Sequence, residues 1–536
     1  MKKLIYNASL VLAIGFLSGC TDLEVEEMDS IVIESESGEF SGVDAVATLA
    51  SAYTDLRGFA SQEHTYALHE VTSDELLVPT RGTDWGDNGI WRTLHQHSWD
   101  ASHFYILSSW NALNSNVFKL NQLLAPETGA SAQQLAEGKF LRAYNMYLIL
   151  DLYGQIPFRG VHEGVDVNPQ VLNATEAFDF ILNDLTEALP DLPERDPSME
   201  TINASQASAN FLLAKLYLNK HVFIGGEPAA EDMNKVIEAV DAIAADGFVL
   251  YDNYFDIFRP YNDPSDPDRS LDTETIFYTD ADYATHIWSG LHYNQGVPGN
   301  AAGGWNGFST TADFYALFEG SADSNEPGNN QEERRGFVPV GGEELAPEDD
   351  PEIVDEDGDG IVDGSYLGYG FLFGQQYGVN GDPLTDRAGN PLVYTKEFPG
   401  LAGNNERTGI RVLKYHPEEG AFGNHYILFR YGDAHLMKAE AIARGGTSSE
   451  TALGLVNQLR EVREATPLTT LTLEDILDER GRELYIEGWR RNDQIRFGTY
   501  TEPWDMKDNT EAHRVLFPIP ITALTTNPNL VQNPGY

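Results

Sequence analysis

Three kinds of residue in this 536-residue chain could do chemistry: regularly spaced aspartates, tryptophans in glycine-rich loops, and a single cysteine. The stretch DEDGDGIVDGSY, starting at Asp355, follows the D-x-D-x-D-G register of a calcium loop. Asp355, Asp357 and Asp359 supply carboxylates at positions one, three and five, Gly360 permits the sharp turn, Ile361 offers its carbonyl, and Asp363 stands at position nine. Tyr366 occupies the place of the usual bidentate glutamate, so Asp349, Asp350 or Glu352 would have to complete the oxygen shell. With no EF-hand helices flanking it, the loop reads as a structural Ca2+ site that staples a long loop.

The tryptophans suggest a different chemistry. A neutral glycan presents hydroxyls and apolar C–H faces, so its receptor needs flat aromatic platforms beside planar polar groups. Trp85 lies in RGTDWGDNG with Arg81 and Asp84 beside it, and Trp305 lies in GNAAGGWNGFSTT next to Asn306. Trp85, Trp305 and, third, Trp288 are the candidate platforms, with Arg81, Asp84 and Asn306 as candidate polar contacts. Trp91, Trp99 and Trp110 fall in or beside helical runs and read as core. The nearby His95, His97 and His103 match no zinc spacing. Paired carboxylates, the equipment of a glycoside hydrolase, carry no information in a chain with 84 acidic residues. No catalytic motif accompanies them, and the chain reads as a non-enzyme.

Charge bounds the partners. With 34 basic against 84 acidic residues the net charge is −50, which repels nucleic acid and anionic membrane surfaces. Cys20 has no partner for a disulfide. It follows Lys2 and Lys3, an apolar run from Leu10 to Phe16, and Leu17-Ser18-Gly19, the layout of a signal peptide over 1–19. Leu-Ser-Gly-Cys resembles a lipobox, in which the thiol is acylated, so Cys20 is the expected lipid anchor. Residues 20–41 are acidic and aperiodic and read as a tether.

The elements that would hold these residues are mainly helical. SAQQLAEGKFLRAYNMYLILDLYG carries an apolar stripe at helical spacing and ends at Gly154, while Asn173 and Glu176 form a capping-box pattern ahead of Phe178, Ile181 and Leu185. NASQASANFLLAKLYLNK follows, and helical pattern returns at 431–446, 448–464 and 472–491, the last placing Arg480, Glu483, Glu487 and Arg490 at spacings that allow pairing along one helix. Between them, over 247–424, glycine, proline, aspartate and asparagine dominate. We read a single domain over 42–536: a helical scaffold at 42–246 and 425–536, and a loop-rich ligand lobe at 247–424 containing short strands.

Four blocks, EGKFLRAYNMYLILDLYGQIPF (137–158), HYILFRYGDAHLMKAEAIAR (425–444), DERGRELYIEGWRRNDQIRFG (478–498) and FPIPITALTTNPNLVQNPGY (517–536), resemble the hallmark blocks of the SusD/RagB family, in matching order along the mature chain. The resemblance implies a tetratricopeptide-like helix-pair scaffold with an irregular lobe, in a lipoprotein on the outer membrane facing the cell exterior. It also implies a lid on a SusC-like TonB-dependent transporter that captures glycan for import without hydrolysing it. Given the net charge, the glycan is expected to be neutral. The competing readings are a tetratricopeptide-type lipoprotein that binds peptide or protein, and a glycoside hydrolase.

Overall fold

The computed structural model describes residues 32–34, 40–164, 166–258, 272–280, 289–297, 303–325, 330–338, 367–378, 381–415 and 425–536. Cys20, Trp288 and the expected calcium ligands Asp355, Asp357, Asp359, Ile361 and Asp363 lie outside the described residues. The protein is mainly α, as expected. Its described helices are α1 (Ala45–Asp55), α2 (His64–Glu70), α3 (Ile90–His95), α4 (Phe104–Leu123), α5 (Ala132–Tyr153), α6 (Ala174–Ala188), α7 (Gln206–Ile224), α8 (Ala230–Ala245), α9 (Ala312–Tyr315), α10 (Tyr431–Ala443), α11 (Ala452–Val462), α12 (Leu473–Leu484), α13 (Arg490–Phe497) and α14 (Ile521–Thr526). Val32–Glu34 pairs antiparallel with Phe40–Val43, so the end of the expected tether carries a short hairpin.

Local chemistry sets the helix ends. Ser131 and Gln134 close a capping box on α5, which stops at Gly154 in the left-handed region. Asn173 and Glu176 close the one expected on α6. Successive helices pack side by side from α4 through α5, α6 and α7 to α8, and α10 lies against α8, α11 and α12. The two helical runs are stitched together by strands Thr275–Asp280 and His425–Arg430, which pair antiparallel. Phe429 of the second strand stacks on Phe211 of α7 with ring centroids 4.4 Å apart, and Tyr144 of α5 meets it edge-on at 5.1 Å. Aromatic pairs of this geometry add about 0.5–1.5 kcal/mol beyond burial.

Around that seam lies a dense set of buried ion pairs. Glu483 accepts from Arg430 (2.7 Å), Arg463 (3.0 Å) and Arg334 (3.1 Å), all enclosed. Arg430 also donates to Glu274 at 2.9 Å and to both Glu487 oxygens at 2.7 Å. A second group joins Lys215 of α7 to Asp433 (2.6 Å), Asp433 to Arg480 (2.8 Å), and Arg480 to Asp493 (2.8 Å), with Arg496 bridging Asp493 and Glu440.

The helix read through 472–491 is in fact two. The chain breaks over Tyr485–Trp489, where Ile486 has φ 55° and Gly488 φ 81°. The reason is distant: the buried carboxyls of Glu70 and Glu75 accept the Gly488 and Ile486 N–H groups, offering an alternative to helical bonding. Glu487 therefore leaves the helix line and reaches Arg430 from the turn, while Arg480 and Glu483 remain on α12.

Burial alone would raise the Glu479 carboxyl, but the guanidiniums of Arg334, Arg482 and Arg460 overrule it and hold the pKa at about 2. Glu483 is likewise held well below the usual carboxylate range. A depressed carboxyl stabilises the fold above its unfolded pKa, and that contribution is lost as pH falls from about 4.5 toward 2. Glu483→Gln removes a charge shared by three guanidiniums and should destabilise by about 3–5 kcal/mol in urea denaturation at neutral pH. A midpoint within error of wild type would refute the role given to Glu483.

Candidate functional site

Short β-pairings position the site. Leu76–Leu77 pairs with Ser309–Thr310, carrying the chain into the loop around Trp85. Thr80 N–H donates to the Leu401 carbonyl (2.9 Å) and Gly82 N–H to Asn404 (3.1 Å), joining that loop to segment 401–411. Residues 304–308 run beside 289–292, with Gly304 N–H donating to His292 (2.8 Å) and Asn306 N–H to Leu291 (2.7 Å). A Cβ at Gly303 would overlap the Tyr293 carbonyl and one at Gly307 the Trp85 ring, so these close approaches require glycine.

Trp85 and Trp305 are brought together: the Trp85 indole N–H donates to the Trp305 carbonyl at 2.7 Å. Trp85 has φ 57° and packs against Trp91 and Phe308, with centroids 5.7 and 5.9 Å away. The sequence suggests a ring with little to bury against; the structure gives it a supporting floor instead. Both tryptophans are only partly buried, whereas Trp91, Trp99 and Trp110 are core. His95 and His97 each bond a backbone carbonyl, of Asp505 and Thr72 respectively.

Two expected polar contacts are corrected by their burial. Arg81 is 2% exposed and donates to the carbonyls of Asn405 (3.0 Å) and Thr408 (2.6 Å) and to Ser309 Oγ (2.8 Å). Asn306 is fully buried and accepts from Arg411 at 2.7 Å. Both hold loop 404–411 in place beneath the aromatics and are withdrawn from a ligand at the surface. Asp84 does reach the surface, among residues that spacing does not reveal. Its Oδ2 accepts from the Tyr293 hydroxyl (2.8 Å) and from Arg387 Nη2 (2.5 Å). Arg387 also donates through Nε to Glu406 (2.5 Å), and its guanidinium stands 3.9 Å from the Tyr293 ring centroid. His292 Nε2 lies 3.1 Å from Glu406. An Asx turn on Asp386, which accepts the Ala388 and Asn390 N–H groups, presents Arg387.

Electrostatics at this cluster favour charged carboxylates. Burial alone would raise Asp84, but the hydrogen bonds from Arg387 and Tyr293 hold it below the usual range. Glu406 is likewise lowered, its desolvation outweighed by the Arg387 backbone and side chain. Burial brings His292 down to about 4, so it is neutral at pH 7. At the surface Arg387 pairs with Asp84 and Glu406, and Arg407 with Asp386, so that two guanidiniums meet three carboxylates and the exposed charges nearly cancel. Among the described residues there is no cluster of histidine, cysteine, aspartate and glutamate suited to a metal ion.

The SusD family model matches residues 273–536. The starch-binding protein SusD of Bacteroides thetaiotaomicron is 26% identical over all of this chain and 99% of its own length. The chain belongs to the SusD family. Among solved structures, a laminarin-binding SusD-like protein superposes with TM-score 0.64 at 20% identity, covering 94% of this chain and all of that one. Surface glycan-binding protein A of B. thetaiotaomicron, solved with laminarihexaose, gives TM-score 0.64 at 17% identity, covering 91% and 98%. These structures share the SusD-like fold. Within this SusD-family chain, Tyr293, Arg387 and Glu406 are the site residues that sequence reasoning missed. Only Tyr293 had a usable signal, an aromatic in the polar, glycine-containing run LHYNQG.

Proposed function

We propose that the protein captures a polysaccharide or oligosaccharide at the cell surface and delivers it to a SusC-like TonB-dependent transporter, without cleaving it. The observation that carries this reading is the surface set in which the partly exposed Tyr293 ring stands beside Asp84 and Arg387, with Glu406 paired to Arg387, while Trp305 is partly exposed on the segment that receives the Trp85 indole N–H. The ring supplies a stacking face, and the carboxylates supply planar acceptors for hydroxyls. Relatives named for starch, laminarin and laminarihexaose support the ligand class. The near-cancellation of local charge supports a neutral glycan. Hydrolysis would need a carboxyl kept protonated near neutral pH. Asp84 and Glu406 are both held low, which supports binding alone.

Calorimetry across neutral and uronic or sulfated glycans tests the reading. We expect saturable binding of one neutral family, weakened about tenfold by Tyr293→Ala or Trp305→Ala, as the loss of one stacking ring implies. Unchanged affinity in both variants would overturn the site.

The anchor and the ion belong to the same proposal. Among the described residues no helix is long and apolar enough to cross a membrane, and lipid on Cys20 would attach the protein to the outer membrane with its site outward. Cys20→Ser should shift the protein from the membrane to the soluble fraction with glycan affinity intact; continued sedimentation with membranes would remove the anchor. Calcium at Asp355, Asp357, Asp359, Ile361 and Asp363 would fasten the lobe. Chelation should then lower the melting temperature of wild type and leave that of Asp357→Asn unmoved, and an EGTA-insensitive wild type would remove the ion.

A further inference from the structure

The Tyr293 ring offers a sugar one face that is already occupied. Arg387 lies 3.9 Å from its centroid, the separation at which a cation rests on an aromatic face, and a stacked sugar needs that same space. The guanidinium is held there by Asp84 and Glu406, contributed by separate loops. Both pairs reach solvent: the side chains are 50% exposed at Arg387, 31% at Asp84 and 18% at Glu406. Exposed pairs are weak and are screened by salt.

The geometry points to Arg387 as a salt-sensitive gate that sets specificity at this site. In the free protein its guanidinium covers Tyr293. For a sugar to stack, Arg387 swings into solvent and releases Asp84 and Glu406, whose carboxylates then accept hydroxyls from the ligand. A neutral, hydroxyl-rich ring replaces the bonds that opening breaks. An anionic sugar meets two uncovered carboxylates instead, and a ring without hydroxyls leaves them unpaired. The inference rests on the glycan-capture reading, and the gate lowers apparent affinity by the fraction of time it is open.

The test compares wild type with Arg387→Ala on the neutral glycan that the calorimetric panel identifies, in 20 mM and 500 mM NaCl. Because Arg387 is half exposed, the variant is expected to fold. If the gate is open between about a tenth and a third of the time, Arg387→Ala binds about three- to tenfold more tightly at low salt. Wild-type affinity rises with salt toward that value, and the variant stays flat. Weaker binding by Arg387→Ala, with Tyr293→Ala also impaired, would identify Arg387 as a direct donor and overturn the gate while leaving glycan capture standing. Hydroxyl-radical footprinting of the ligand-free proteins decides the gate without any glycan. Oxidation of the Tyr293 peptide should be low in wild type, rise with salt, and be high in Arg387→Ala at both salts. Equal oxidation in the two proteins at low salt would overturn it. Absence of binding across the whole panel would instead defeat the capture reading.

Discussion

Glu483, fully enclosed among three guanidiniums, is the interaction on which the other elements converge. Arg430 ends the seam strand, Arg463 follows α11, Arg334 comes from the loop-rich lobe, and Glu483 itself is on α12. Four parts of the chain thus meet at one carboxylate. Apolar packing alone is tolerant of sliding, whereas a buried charge that loses its partner is strongly penalised. Phe211 and Phe429 could stack in more than one register. Once Arg430 is bound to Glu274, Glu483 and Glu487 together, the seam strands have one register in which every charge is met. The ionic cluster selects the arrangement that the aromatic core then fills.

That selection reaches the candidate site through the turn after α12. Glu70 and Glu75 grip the turn through the Gly488 and Ile486 N–H groups. Burial pushes both carboxyls above the usual carboxylate range, and the neighbouring Glu70 charge pushes Glu75 further in the same direction. One step along, Asp74 takes both Arg490 Nε and Nη2 at 2.8 Å, and its carbonyl accepts from Thr311. The Glu75 carbonyl accepts from Thr310, which belongs to the strand pair that leads into the Trp85 loop. Segment 70–77 is therefore fixed at one end by the scaffold's turn and hands that order to the candidate site at the other.

Sequence reasoning read well where the signal was local. The α6 cap at Asn173, the α5 stop at Gly154 and the burial of Trp91, Trp99 and Trp110 each follow from residues within a few positions. It misread 472–491 because the atoms that break the helix come from Glu70 and Glu75, more than 400 residues away in the chain. At the candidate site, composition singled out Trp85 and Trp305, which the fold joins through one hydrogen bond, because tryptophan in a glycine-rich loop is conspicuous. The cluster of Tyr293, Arg387 and Glu406 was illegible, since a tyrosine, an arginine in an Asx turn and one glutamate among 84 acidic residues become a set only when four loops converge.

The same convergence explains why Arg81 misled. An arginine beside a loop tryptophan suggests a ligand contact, yet Arg81 and Arg411 are both enclosed and share Ser309 Oγ. Arg411 donates to the carbonyls of Thr408 (2.8 Å) and Glu406 (2.9 Å), and Arg81 to those of Asn405 and Thr408. Backbone carbonyls are partial charges that cannot leave, so they can solvate a buried cation without a carboxylate. Loop 404–411 is thereby wrapped around two guanidiniums, and Glu406 projects from that wrapped loop toward Arg387. Because the buried cations use carbonyls, the Glu406 carboxylate is left for the surface. The rigidity of the floor and the chemistry of the rim thus have a single origin in how this loop divides its oxygens between inside and outside.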